Sequence, residues 1–292
     1  MSDHIRTAVL PVAGLGTRFL PATRVMPKEM LPVVDTPLIQ YAVEEAFAAG
    51  IERIVFVTGR GKSVLEDHFD HAFELEATLA ERGKDAALET ARALIPPEGS
   101  IASVRQQRPL GLGHAVFCAR DLVGDAPFAI ILPDDLVQAE TPCMQQMMEQ
   151  YAETGGNLVA VMDVPRAHTA RYGILDVGEV KGRLAEITGL VEKPQPEDAP
   201  STLSIIGRYI LQPQIFDALS ARETGAGGEI QLTDAMAKLI GSQPFHGYRF
   251  DGVRHDCGDK LGFLQASIAL ALEREDLGPD LRSWLASQLS GG

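Results

Sequence analysis

The stretch VLPVAGLGTRFLPATRVMPKEMLPVVD, Val9–Asp35, decides how this chain is read. An apolar, strand-like run breaks at Gly14 into a turn with a second glycine at 16. Arg18, Arg24 and Lys28 follow, all within fifteen residues of Gly14. A turn leaving a strand exposes successive backbone N–H groups, and glycines let that backbone approach a ligand without Cβ clashes. Such N–H nests favour anions. Arg18 can fork onto phosphate oxygens, and Lys28 is a movable point charge in a loop stiffened by Pro27 and Pro32. The stretch therefore predicts a seat for a polyanion of the nucleoside triphosphate kind. Two commoner phosphate loops are excluded. GLGTRF has Phe19 where a dinucleotide-binding turn needs its third glycine, and FVTGRGKS has Phe56 where a P-loop needs its first.

Outward from that turn, strand-like runs alternate with helical patterns. Thr7–Ala13, Arg53–Thr58, Ser103–Gln106 and Phe128–Leu132 read as strands. Pro37–Ala49 reads as a helix, with Thr36 as its cap, Pro37 in its first turn and Gly50 at its C-terminal end. This alternation implies crossover units and a mostly parallel sheet, hence an α/β fold. Phe69–Ala93 reads as a polar helical insertion. After Leu136 the pattern changes. Asn157–Val164, Gly173–Val177, Leu184–Val191 and Ser204–Leu211 are strand-like with short connections. Two helices follow, Ile230–Ile240 and Leu261–Leu272, the latter with Leu261, Leu264, Ile268 and Leu272 on one side. The expectation is one domain over 1–292, with halves of about 1–136 and 137–292.

Bulk composition narrows the function. At 292 residues and 45% hydrophobic content, the chain can bury one large core. A net charge of −14 argues against nucleic acid as a partner, since phosphate backbones demand clustered Lys and Arg. No run approaches the roughly 18 apolar residues of a membrane span. The three cysteines, Cys118, Cys143 and Cys257, form no C-x-x-C pair and read as reduced thiols of a cytoplasmic protein. Cys257 reads as a packed small residue, and His68 and His71 as surface histidines without partner ligands.

The opening stretch also resembles the start of the sugar nucleotidyltransferases. The likeness continues in order through RQQRPLGLGHAV, ILPDDL, YGILDV, VEKP, IIGRYIL, GGEIQLTDA and HDCGDKLG, which together span nearly the whole chain. GLGHAV with HDCGDKLG is similar to the bacterial UTP–glucose-1-phosphate uridylyltransferase branch. Arg24 stands where that family more often has lysine. The resemblance implies a Rossmann-like three-layer α/β/α fold with a mixed, mostly parallel central sheet. It also implies a nucleotide-binding half and a smaller sugar-binding part with C-terminal helices. The implied reaction has the phosphate oxygen of glucose 1-phosphate attack the α-phosphorus of UTP. UDP-glucose forms and pyrophosphate leaves, without a covalent intermediate. A glucose-1-phosphate thymidylyltransferase, or a non-catalytic sugar-nucleotide sensor, is the alternative.

The same resemblance distributes roles. Ala13, Gly14, Gly16 and Thr17 would hold base and phosphates, with Arg18 and Lys28 facing the future pyrophosphate. Gln106 and Gly111 would read uracil. Gln106 suits a pyrimidine edge because its amide both donates and accepts. Gln107 competes on chemistry alone, and Gln106 is chosen from its spacing to Gly111. FAIILPDDL ends a strand in two carboxylates. The family aspartate falls on Asp134, while Asp135 would point elsewhere and cap the next turn. Asp134 and Asp256 are the implied Mg²⁺ ligands, since two carboxylates beside a triphosphate repel without a cation. Glu192 and Lys193 would meet the sugar hydroxyls and its phosphate. Gly173, Gly207 and Glu229 would line the sugar side. The catalytic set is thus Arg18, Lys28, Asp134, Lys193 and Asp256. The resemblance further implies a homo-oligomer, dimer or tetramer.

Overall fold

The computed structural model describes residues 4–290. Among them, nine strands form one sheet. In chain order they are β1 Thr7–Pro11, β2 Arg53–Thr58, β3 Ile101–Arg105, β4 Phe128–Ile131 and β5 Asn157–Asp163. β6 Gly173–Lys181, β7 Leu184–Glu192, β8 Leu203–Leu211 and β9 Phe245–Arg249 follow. Their spatial order is β3-β2-β1-β4-β8-β5-β9-β7-β6. β8 is antiparallel to its neighbours β4 and β5, and β7 to its neighbours β9 and β6. The other seven strands share one direction, as the mostly parallel expectation required.

The strands sort side chains by alternation. On β1, Ala8 and Leu10 face one side and Val9 the other. Ile54 and Phe56 of β2, with Ala129 and Ile131 of β4, join Ala8 and Leu10 under helix α1, Leu38–Ala48, through Ile39, Ala42, Val43 and Ala46. Val9, Val55, Val57 and Ile130 face the opposite helices through Ala115, Val116, Leu219, Leu232 and Met236. Helices on both faces of a sheet give three layers. No helix among the described residues is long and apolar enough to cross a membrane.

Several expected details change. Thr36 does not cap α1. It pairs with Val33 in a ribbon of Pro32–Val33 and Thr36–Pro37, and α1 starts at Leu38 with no side-chain cap. Asp135 does not cap a turn either. It opens a short strand, Asp135–Gln138, antiparallel to Val253–Asp256. The expected boundary between halves, near 136, therefore falls inside a strand. The Phe69–Ala93 region is two helices, Phe73–Glu81 and Asp85–Ala93, either side of Gly83. The helix Lys260–Glu273 has the expected period but the opposite face inward. Gly262, Phe263, Ala266 and Leu270 pack toward the protein, while Leu261 and Leu264 stay 65% and 58% exposed. β9 lay hidden in the sequence because FHGYR interrupts its apolar residues with His246 and Gly247.

Candidate active site

In order β3-β2-β1-β4, chain progression reverses between β1 and β4. Such a switch point opens a crevice beyond the carboxyl ends of the strands, where ligands bind in open α/β sheets. The turn after β1 and the Leu132–Asp134 segment after β4 both leave there. A cleft of about 630 Å³ lies at this position. Every site residue expected from the sequence lines it: Ala13, Gly14, Gly16, Thr17, Arg18, Lys28, Gln106, Gly111, Asp134, Gly173, Glu192, Lys193, Gly207, Glu229 and Asp256. Gln107 and Arg24 are not among its walls.

The opening turn is built around Lys28. Gly16 has φ +64°, and a Cβ there would sit 3.0 Å from Lys28 Cβ, so this glycine makes room for the lysine stem as well as for a ligand. Lys28 Nζ reaches Asp134 Oδ2 at 2.5 Å. Burial works against the Lys28 charge, but Asp134 and Glu29 more than offset it, and its pKa is raised. Burial likewise penalises the Asp134 carboxylate, and Lys28 reverses the balance, holding it below the usual range. Arg18 Nη1 donates to the Gly258 carbonyl at 3.2 Å, tying the turn to the C-terminal station.

The neighbouring Glu29 points into the protein, where its carboxylate meets Lys62 Nζ at 2.6 Å with both side chains buried. Lys62 belongs to the failed P-loop match. The structure gives it a different use, as the anchor of the residue beside Lys28.

The two carboxylates expected to hold a metal do converge. A Cβ placed on Gly258 would lie 3.0 Å from Asp256 Oδ1 and 3.2 Å from Asp134 Oδ2, so both oxygens front one small space. Both are also held by cations of the chain. Arg171 Nη2 lies 3.2 Å from Asp256 Oδ2 and 2.9 Å from Asp259 Oδ2, and Arg254 Nη2 lies 3.5 Å from Asp256 Oδ2. Arg254 grips Asp135 with both Nε and Nη2, and donates through Nη1 to the Tyr172 hydroxyl at 3.1 Å. Asp135 in turn accepts from the Gly207 amide at 2.7 Å. Among the described residues, no group of three or more His, Cys, Asp or Glu side chains could hold a metal. Two carboxylates suit a hard cation that keeps waters and takes phosphate oxygens as remaining ligands.

Across the cleft, β7 ends at Glu192, and Lys193 follows with φ +51°. A non-glycine residue in this left-handed region costs energy, and such strain concentrates at functional sites. Lys193 N donates to the Tyr172 carbonyl at 2.9 Å, and its Nζ lies 3.1 Å from Glu192 Oε1. Gly111 has φ +108°, and a Cβ there would lie 2.7 Å from the Ile230 carbonyl. Its lack of a side chain therefore answers first to the protein's own backbone. Gln106, buried, donates through Nε2 to the Gly111 carbonyl at 3.0 Å.

Sequence reasoning missed Arg171, Tyr172, Arg254, Gln231 and Thr233, and expected Asp135 to point elsewhere, yet all six are in the cleft wall. Arg171 and Tyr172 stand directly before Gly173, and Arg254 two residues before Asp256. Proximity to the stations was the only available signal. Cys257 is buried, and burial pushes its thiol up to about 12, as suits a packed residue.

A half-Rossmann strand order, a cationic glycine-rich turn and paired carboxylates at the switch point define an enzyme class that handles activated nucleotides. Within that class, the chain belongs to the nucleotidyl transferase family, whose model matches residues 7–272. UTP–glucose-1-phosphate uridylyltransferase of Komagataeibacter xylinus is 54% identical over 285 residues, 98% of each chain. The UTP-bound UGPase from Acinetobacter baumannii is 43% identical, with a TM-score of 0.89 over 97% of this chain and 99% of that one. A UDP-glucose pyrophosphorylase crystallised with UDP-glucose is 42% identical, with a TM-score of 0.85 over 92% of this chain and all of the other.

Proposed function

We propose that this chain transfers the uridylyl group of UTP to glucose 1-phosphate, releasing UDP-glucose and pyrophosphate. The observation that carries the reading is the convergence of fifteen residues, spread from Ala13 to Asp256, on one cleft. Transfer at phosphorus needs aligned reactants and neutralised charge more than a protein nucleophile. The turn Ala13–Arg18 seats the nucleotide, and Arg18 and Lys28 bear on the leaving pyrophosphate. Gln106 and Gly111 border the base. Glu192, with Gly173, Gly207 and Glu229, borders the sugar, and Lys193 meets the sugar phosphate that attacks. The place of Lys193 in the cleft wall, on a left-handed backbone, supports this role.

Asp134 and Asp256 would hold a divalent cation, and we assign it as Mg²⁺. When bound, the cation supplies polarisation of the α-phosphate and neutralises the phosphate charge. The residues fit it: two carboxylate oxygens front one space, and the chain's own cations already occupy that negative field. Lys28 and Arg171 are thereby placed to exchange carboxylate partners for phosphate oxygens.

A homo-oligomer of cytoplasmic chains, dimer or tetramer, belongs to the same reading. Its support is the outward row Leu261, Leu264 and Ile268, which gives a second copy an apolar surface. Size-exclusion chromatography with light scattering checks it. The activity is tested by pyrophosphate release from UTP, glucose 1-phosphate and Mg²⁺, with dTTP and other hexose 1-phosphates as comparators. Turnover with UTP and glucose 1-phosphate above every other pair is expected. Absence of pyrophosphate release overturns the assignment.

A further inference from the structure

His114 belongs to the GLGHAV station yet has no part in the reading above. It sits in the first turn of the helix Leu112–Cys118, behind the cleft wall and not in it. Its contact is with Gln106. The Gln106 amide nitrogen lies 3.0 Å from the Gly111 carbonyl oxygen and 3.0 Å from His114 Nδ1. The orientation of that amide follows from chemistry. A carbonyl oxygen can only accept, so the NH₂ end must face Gly111. Its second N–H then meets His114 Nδ1, which must accept, with the ring neutral and its proton on Nε2. Both amide donors are then used. Among the described residues Gln106 Oε1 makes no hydrogen bond, and Gln106 lines the cleft. Oε1 is what the residue has left to offer a ligand.

We propose that His114 is a positioning residue for base selection: it locks the Gln106 amide with its oxygen toward the cleft. An acceptor there matches a pyrimidine carrying N–H at N3, as uracil does, and opposes cytosine, whose N3 is itself an acceptor. The inference rests on the uridylyl-transfer reading and adds the source of its base preference. A one-bond tether to Gly111 alone leaves the amide free to rock. The second bond to His114 removes that freedom, and it exists only while the imidazole is neutral.

The surroundings favour neutrality. The groups facing His114 are the Cys118 thiol, with Sγ 4.0 Å from Nδ1, and the charges of Arg222 and Arg108. Partial burial, then Arg222, then Arg108 hold the imidazole below its ordinary value. In more acid solution Nδ1 becomes a donor, faces the amide N–H and loosens Gln106.

The experiment uses the full chain, with glucose 1-phosphate saturating and UTP or CTP varied. His114→Leu should raise KM for UTP about five- to tenfold, the worth of one neutral hydrogen bond. Its kcat should change little, and its UTP-over-CTP ratio of kcat/KM should fall about tenfold. His114→Gln, whose amide oxygen can accept, should restore both. Between pH 8 and 5, KM for UTP in the parent should climb relative to His114→Gln at the acid end. A Leu variant within twofold of the parent in KM and in base preference overturns the proposal, as do parallel pH profiles for parent and Gln variant. If the Leu variant does not fold, the pH comparison decides alone. A parent that releases no pyrophosphate from UTP is a different result, and defeats the uridylyl-transfer reading itself.

Discussion

Lys193 shows how a single residue can carry information that composition cannot. A strand-end Glu-Lys is ordinarily a solvated pair worth little, and its side chain is 46% exposed here. Its place in the cleft wall, on a left-handed backbone fixed by the bond to Tyr172 O, is what separates it from a surface lysine. Removing the side chain leaves that backbone intact. Lys193→Ala should therefore raise KM for glucose 1-phosphate about 10–100-fold, the range for losing a charged hydrogen bond. UTP affinity, read by titration calorimetry, should stay unchanged. Lys62 behaves oppositely, since it touches no part of the cleft. Its loss strands the buried Glu29 carboxylate, whose other oxygen, Oε1, already lacks a partner among the described residues. Lys62→Met should lower stability by about 3–5 kcal/mol. The double variant Lys62→Met with Glu29→Leu should recover most of it in urea denaturation, because no buried charge then remains. Residue types and order made the stations legible. Lys62 was not legible, because nothing in Gly61-Lys62-Ser63 says that its partner lies 33 positions earlier, at Glu29.

Among elements, the decisive one is the small ribbon of Asp135–Gln138 against Val253–Asp256. It pairs Asp256 with Asp135 and so delivers the distant Asp256 beside Asp134. The large elements were readable because alternation and helical period leave a local trace: β2 appears as Arg53–Thr58 in both sequence and structure. The short, half-polar strands DLVQ and VRHD leave none, and the ribbon's register depends on a partner some 119 positions away. The reversed face of Lys260–Glu273 has the same origin. Period fixes which side chains share a face, while only tertiary packing decides that Phe263 and Ala266 go inward. Arg254 is the residue that makes the ribbon rigid, joining Asp135, Asp256 and Tyr172 with most of its side chain buried. Arg254→Leu keeps the bulk and removes the joint. It should leave KM for UTP within a few-fold, lower kcat, and raise the Mg²⁺ concentration for half-maximal rate about tenfold. That magnitude is the low end for removing a group that orients a metal ligand, the role proposed for Asp256. A parental Mg²⁺ response would show that Asp256 needs no such support.

At the scale of the whole molecule, the question is whether the two halves are separate folding units. β8 lies mid-sheet between β4 of the first half and β5 of the second, and all nine of its residues are buried. Within it, Arg208 is fully buried and forms a two-pronged pair with Glu45 of α1, at 2.8 and 2.7 Å. It also donates to the Leu132 and Gly207 carbonyls, while Glu45 accepts from Met144 N. One ion pair thus binds a helix from the first half, a strand from the second and the start of a third element. Neither half can satisfy these groups alone, and an unpaired buried charge is expensive. We therefore expect one cooperative unfolding transition, with calorimetric and van't Hoff enthalpies in agreement. Glu45→Ala should cost about 3–5 kcal/mol, lowering the melting temperature by roughly 5–15 °C for a chain of this size. The transition should move without splitting. Two resolved transitions in the parent, or a variant in which only one half melts early, would mean that the halves hold together by docking and that the shared sheet is not their common core.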